Sequence, residues 1–292
     1  MRILPEIARD KAFALHGGTA VNLFCNNMPR LSVDIDLTWI PCDTRENDLM
    51  AIRERLLSLR SGIIKIIPGI RVREPQIESE EYKLRFTGAD GSEVKIEVNT
   101  INRGIYENPI ILSLCPLAQE IFDMYCEIQV VPLGQLYGGK IVAALDRQHP
   151  RDIFDIKFLL DNSPYDTALQ KGVLFCLLSS KRPLDELLNP LLPDHRKALE
   201  TQFGGMSDHS FTYEMFEATR HRLVDTVRKG LTDHDCTILL SFARGDPSWV
   251  SHDFSRFPGV QWKLYNINLL KNINPSKHKM QLDKLVNTLS TL

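Results

Sequence analysis

A chain of 292 residues, 43% apolar and 25% charged, holds enough material for one large or two ordinary domains of a globular protein. Its formal net charge of −2 excludes a broad, non-specific nucleic-acid coat, which needs a large basic excess, and leaves only a locally gripped nucleic acid. No run approaches the ~18–20 apolar residues that span a bilayer, and Met1-Arg2-Ile3-Leu4-Pro5-Glu6 does not open a secretory signal.

Six cysteines, at 25, 42, 115, 126, 176 and 236, show neither paired nor metal-ligand spacing. They suit reduced thiols, and the expectation is a cytoplasmic protein.

Residues 1–12 carry charge and a proline and read as a short helix or arm. Phe13-Ala14-Leu15-His16 is an apolar run that stops at Gly17-Gly18, the pattern of a strand ended by a tight turn, with a helix opening at Thr19. Val33, Ile35 and Leu37 then alternate with Ser32, Asp34 and Asp36. Strand residues two apart share a face, so both carboxylates project to one side while the aliphatics enter the core. Two acids about 6–7 Å apart repel unless a cation sits between them. The economical reading is a divalent metal site facing a phosphate-binding turn.

Trp39 to Asp43 leads into a helix, with Leu49, Ile52, Leu56, Leu57 and Leu59 near helical spacing. Gly62 and Pro68 bracket a predicted short strand, Ile63 to Ile67. Tyr82–Phe86 and Val94–Val98 follow as strands, joined by a segment whose Asp90-Gly91 signals a hairpin. Glu97 falls on the face opposite Val94, Ile96 and Val98. It is either the solvent side of an edge strand or a third carboxylate of the site.

Residues 109–132 read as apolar strand and loop, including Pro109–Leu112 and Ile128–Pro132. From Leu133 the spacing of Leu136, Lys140, Ala143, Ala144 and Arg147 is helical, and Asp152 to Leu160 opens another helix after Pro150. Beyond about residue 170 the pattern is helical throughout, at Val173–Leu178, Leu184–Leu192, Phe211–Leu223, His234–Phe242 and the tail from Leu264 to Leu292. The plan is an α/β unit followed by a helical unit, with a boundary near 125–135.

Gly134-x-x-x-x-Gly139-Lys140 imitates a phosphate loop. Such a loop needs Ser or Thr directly after the lysine to hold magnesium, and this chain has Ile141. Asp152 and Asp155, three apart on a helix, face the same way. They read either as a first-turn cap worth about 0.3–1 kcal/mol, clamped by Arg147 or Arg151, or as site residues. His16 reads as a satisfied strand-end residue or a catalytic one. Trp262 and Tyr265 could stack on a nucleotide; at helical spacing they read more readily as core.

Gly17-Gly18, a short helix and Asp34-x-Asp36 on a strand together resemble the polymerase-β-like nucleotidyltransferases. Arg30-x-Ser32-x-Asp34-x-Asp36 in that setting resembles the AbiEii/AbiGii branch, toxins of bacterial toxin–antitoxin and phage-defence pairs. Lys140 followed by Arg147-x-x-Pro150-Arg151-Asp152-x-x-Asp155 resembles the second block of AbiEii-type toxins. The likeness runs to about Leu160, and because the glycine turn lies so near the start, it raises the expectation that the chain begins late.

The resemblance implies an α+β protein, with a nucleotidyltransferase core of mixed sheet and flanking helices over 1–130. A helical domain over 131–292 would contribute Lys140 and the Arg151-Asp152-x-x-Asp155 block. It implies transfer of a nucleoside monophosphate from an NTP to an RNA acceptor, the 3′ end of transfer RNA. Asp34, Asp36 and Glu97 would hold Mg2+ in two-metal catalysis. Gly17, Gly18 and Thr19, with Arg30, Ser32 and Arg151, would contact the nucleotide. Lys140 would offset triphosphate charge, and at least one of Asp152 and Asp155 would serve the site. A cognate antitoxin is the implied partner. Two other readings stay open: a non-catalytic NTP- or partner-binding protein on this scaffold, and a small-molecule (antibiotic) nucleotidyltransferase, against which the Lys140 block argues.

Overall fold

A computed structural model describes residues 1–32, 34–73 and 82–291. Contacts divide the chain into two compact units, Met1–Pro132 and Leu133–Leu292. Val33, which the alternation puts in a strand, and Leu292 of the tail lie outside the described residues.

The first unit comprises α1 (Leu4–Arg9), β1 (Phe13–His16), α2 (Gly17–Ala20), β2 (Ile35–Trp39), α3 (Arg45–Ile66), β3 (Arg71–Arg73), β4 (Lys83–Thr87), β5 (Glu93–Val98), β6 (Ile110–Ser113), α4 (Pro116–Phe122) and β7 (Glu127–Val130). Among the described residues, seven strands form one mixed sheet in the order β3-β4-β5-β2-β1-β7-β6. One of its faces is apolar because period-two alternation points Phe13, Leu15, Leu37, Trp39, Leu84, Phe86, Ile96 and Val98 the same way, and all are buried. The predicted hairpin is present: β4 and β5 pair antiparallel, closed by Gly88 N–H donating to the Ser92 carbonyl at 2.8 Å.

The strand predicted at Ile63–Ile67 does not form. α3 runs through Gly62, because Ile63 continues the buried stripe of Ile52, Leu56 and Leu59. That tertiary burial outweighs the roughly 1 kcal/mol that a helical glycine costs. The Glu6 carboxylate lies over Gly62, with Oε1 2.1 Å from where a Cβ would stand. The helix predicted to open at Thr19 begins instead at Gly17 and widens into a π-helical turn over Val21–Cys25. Residues 116–122, read as strand or loop, are α4, started by Pro116 in its first turn. Asp48, buried at the start of α3, accepts from Trp39 Nε1 at 2.8 Å and pairs with Arg103 at 2.7 Å, tying β2 to α3.

The second unit is helical: α5 (Leu133–Arg147), α6 (Pro150–Asn162), α7 (Thr167–Ser179), α8 (Leu184–Leu188), α9 (Arg196–Phe203), α10 (Tyr213–Lys229), α11 (Asp233–Ala243), α12 (Pro258–Ile273) and α13 (Pro275–Leu289). α8 stops at Leu188, short of the predicted Leu192, because Asn189-Pro190 ends it. The phosphate-loop lookalike is the body of α5. A Cβ on Gly138 would meet Gly172 backbone at 2.4 Å, and one on Gly172 would meet the Gly134 carbonyl at 1.8 Å. These glycines therefore let α5 and α7 cross with backbones nearly touching. Trp262 and Tyr265, read as core, are instead 50% and 59% exposed and stack on each other on the outer side of α12. The stripe that α12 buries is carried by Gly259, Val260 and Lys263. The six cysteines are free thiols.

Candidate active site

Three pairings bring the sequence-predicted residues of the first unit together. β1 and β2 run antiparallel with His16 opposite Asp36, and β2 and β5 run parallel with Asp36 opposite Glu97. β5 and β4 set Glu97 opposite Lys83. Directly opposed residues share a face, so His16, Asp36, Glu97 and Lys83 form one row across four strands.

The glycine turn closes over this row. Gly17 has φ +71°, and a Cβ on it would fall 2.3 Å from Oδ2 of Asp36. Only a residue without a side chain fits there without strain. A Cβ on Gly18 would stand 3.0 Å from Ser32 Oγ and 3.1 Å from an Arg30 guanidinium nitrogen. The buried Thr19 hydroxyl lies 3.1 Å from Ser32 Oγ and donates to the Asp34 carbonyl. Arg30, also buried, donates to the Leu31 carbonyl at 2.8 Å. Gly17, Gly18, Thr19, Arg30, Ser32, Asp34 and Asp36 thus meet at one place. Thr19 spends its proton on holding the Asp34 backbone, and His16 Nδ1 lies 3.1 Å from the Thr38 hydroxyl. Asp36 is half-buried on β2 between the buried Ile35 and Leu37, whereas Asp34, also half-buried, stands one residue ahead of β2 rather than on the strand that the alternation predicts.

Glu97 sits in the row where a third carboxylate was expected, but its surroundings are cationic. Lys83 approaches Oε1 at 3.1 Å and Lys95 approaches Oε2 at 3.0 Å. Burial alone would raise the Glu97 carboxyl; the hydrogen bonds and charges of Lys95 and Lys83 outweigh it and hold the group below its ordinary value. Burial would likewise lower the Lys95 ammonium, which is carried above its ordinary value by Glu97, with Asp34 and Asp36 adding their fields. Sequence reading singled out neither lysine. The signal was there: Lys95 and Glu97 alternate with Val94, Ile96 and Val98 on β5.

Among the described residues no group of three or more His, Cys, Asp and Glu side chains forms a cage for a metal ion. The Asp34–Asp36 pair still fits Mg2+, which keeps its waters and binds through one or two carboxylates plus substrate phosphates rather than through an all-protein cage.

The second block lies in the second unit. Lys140 is buried on α5 and pairs with Asp152 at 2.9 Å and Asp155 at 3.0 Å, both on α6; Arg147 reaches Asp152 at 2.6 Å. Burial works against the Asp152 charge, but Lys140 and Arg147 hold its carboxyl well below the usual range. The cap of α6 is His149, whose Nδ1 accepts from Arg151 N–H at 3.2 Å, so Asp152 does not cap the helix. Arg151 is half-buried.

Over residues 1–258 the sequence matches the family described as nucleotidyl transferase AbiEii toxin, Type IV TA system. The chain belongs to the AbiEii family of nucleotidyltransferase toxins. Its fold is similar to that of MenT4, a nucleotidyltransferase toxin from Mycobacterium tuberculosis H37Rv, with a TM-score of 0.61 at 15% identity over 91% of this chain and 89% of that one. JHP933 from Helicobacter pylori is also similar, with a TM-score of 0.48 at 15% identity, over 78% of this chain and 89% of that one. No curated protein sequence matches the chain. AbiEii membership accords with the glycine turn and acid pair just described, and the α+β architecture is the expected one. Among the described residues no helix is long and apolar enough to cross a membrane.

Proposed function

We propose that this AbiEii-family chain transfers a nucleoside monophosphate from an NTP to a hydroxyl at the 3′ end of transfer RNA, in the cytoplasm, as the toxin of a toxin–antitoxin or phage-defence pair. The observation that supports this reading best is the contact of the Gly17–Gly18 turn with Asp36, which brings a backbone free of side chains beside an acid pair. The acceptor oxygen attacks the α-phosphorus, the bond to the β-phosphate oxygen breaks, and pyrophosphate leaves with that electron pair. Mg2+ held by Asp34 and Asp36 would neutralise the triphosphate and activate the acceptor hydroxyl.

The chain's own residues do the positioning. Gly17 and Gly18 let the turn lie against Asp36, Ser32 and Arg30, and the backbone N–H groups of that turn are proposed to face the phosphate oxygens. Thr19, Ser32 and Arg30 brace the turn against the Asp34 segment. Lys140, Asp152 and Asp155, with Arg151 beside them, are proposed to serve the same reaction, on the strength of the family block. A cognate antitoxin is the proposed partner.

Incubation with each α-32P-labelled NTP, Mg2+ and total RNA tests the reading. Label in transfer RNA supports it. Label on an added aminoglycoside favours the antibiotic-modifying alternative, and NTP binding without transfer favours a non-catalytic scaffold.

A further inference from the structure

Glu97 presents a problem if it is only a metal ligand. It stands directly across from Asp36 in the β2–β5 ladder, and like charges directly opposite on neighbouring strands destabilise the pairing. The fold answers with two ammonium groups, one on each carboxylate oxygen: Lys83 at 3.1 Å from Oε1 and Lys95 at 3.0 Å from Oε2. A carboxylate so engaged is already neutralised by two ammonium groups, and a cation brought to it would sit against both of their charges.

Asp34 immediately precedes β2 and Lys95 immediately precedes Ile96, so the Ile35–Ile96 pair that opens the ladder brings Lys95 alongside Asp34. Lys95 is therefore the basic residue of β5 that borders the acid pair, and both Asp34 and Asp36 favour its charge. Its side chain is 33% exposed, enough to be reached from solvent. Lys83 lies on the far side, on β4, so Glu97 stays compensated if Lys95 turns to another anion.

We propose that Lys95 binds the departing phosphates of the nucleotide and that Glu97 is its positioning residue, held between Lys83 and Lys95 rather than ligating metal. The inference rests on the nucleotidyltransferase reading above and assigns a group within that site. A flexible ammonium has three donors and suits phosphate oxygens that move as pyrophosphate forms. Exchange of Glu97 for phosphate trades one charge-assisted hydrogen bond for another and leaves neither anion bare.

The test uses the full chain, each of the four labelled NTPs in equilibrium dialysis with saturating Mg2+, and a Mg2+ titration of transfer. Lys95→Met is expected to weaken NTP binding at least about tenfold, the scale of a lost charge-assisted contact. Lys95→Arg is expected to restore most of it. Glu97→Gln is expected to weaken NTP binding severalfold and leave the Mg2+ concentration for half-maximal transfer unchanged. Wild-type NTP affinity in Lys95→Met overturns the inference, as does a large upward shift of the Mg2+ midpoint in Glu97→Gln. If the wild-type chain binds no NTP, the nucleotidyltransferase reading falls and this inference with it; if it binds and Lys95→Met binds equally, only the inference falls. Thermal unfolding monitored by circular dichroism confirms that the variants are folded.

Discussion

The Asp36 carboxylate fills the space that a side chain on Gly17 would need: a Cβ there would lie 2.3 Å from Oδ2, with the backbone already at φ +71°. Turn and acid are therefore one device, and each fixes the place of the other. Gly17→Ala is expected to cost about 1–3 kcal/mol from backbone strain. The displaced carboxylate adds a loss of transfer on the order of a hundredfold. Thermal melts and label transfer measured together check this. Wild-type activity in Gly17→Ala would separate the turn from the chemistry.

Lys140, Asp152 and Asp155 make a buried charge network whose contribution depends on pH. The folded-state pKa of Asp152 lies below its unfolded value of about 3.9. Its stabilisation is thus present above roughly pH 4 and is lost as pH falls through the folded-state value. Asp152→Asn is expected to flatten the acid limb of the stability–pH curve. Near neutrality it should cost about 2–3 kcal/mol, less than a fully orphaned buried charge, because Asp155 still faces Lys140. Denaturant melts between pH 3 and 7 measure both effects.

Where α5 and α7 cross, Gly172 has the Gly134 carbonyl 1.8 Å from the position of an added Cβ. A larger side chain must push two buried helices apart. Gly172→Leu is expected to destabilise the second unit by about 3 kcal/mol or more, the upper range of overpacking. Two-probe denaturation, with the fold of each unit followed separately, would show it. An unaltered melt would mean that the crossing is looser than its geometry.

Arg103 and Asp48 are each 2% exposed and pair at 2.7 Å beneath β2. Arg103→Met leaves the Asp48 charge buried with Trp39 Nε1 as its remaining side-chain donor, and should cost about 3–5 kcal/mol. Urea unfolding reads this directly. A loss under 1 kcal/mol would contradict the account of how β2 is held.

The strands carrying Asp36 and Glu97 were legible because alternation survives in short segments, and one buried face fixes which residues point to the other. The β4–β5 hairpin was legible for the same reason, with Asp90-Gly91 marking its turn. Gly62 misled because a glycine reads locally as a break, whereas the buried stripe of α3 continues past it to Ile63. Gly134 and Gly138, which the helical spacing from Leu133 already placed on a helix, likewise have a tertiary reason: they let α5 lie against Gly172 of α7. Lys83 and Lys95 passed unnoticed: alternation puts Lys95 on the polar face of β5, but only the strand pairing sets both lysines against Glu97. Trp262 and Tyr265 show the reverse: helical spacing is the same for an inner and an outer stripe, and only packing separates them.

Transfer of label from an α-32P-labelled NTP to RNA by the wild-type chain and by Asp36→Asn, run side by side with circular dichroism of both, tests the acid pair most directly. The expected result is label on RNA with the wild-type chain, and a loss on the order of a hundredfold or more with an equally folded variant. Equal transfer by the two proteins would contradict the account.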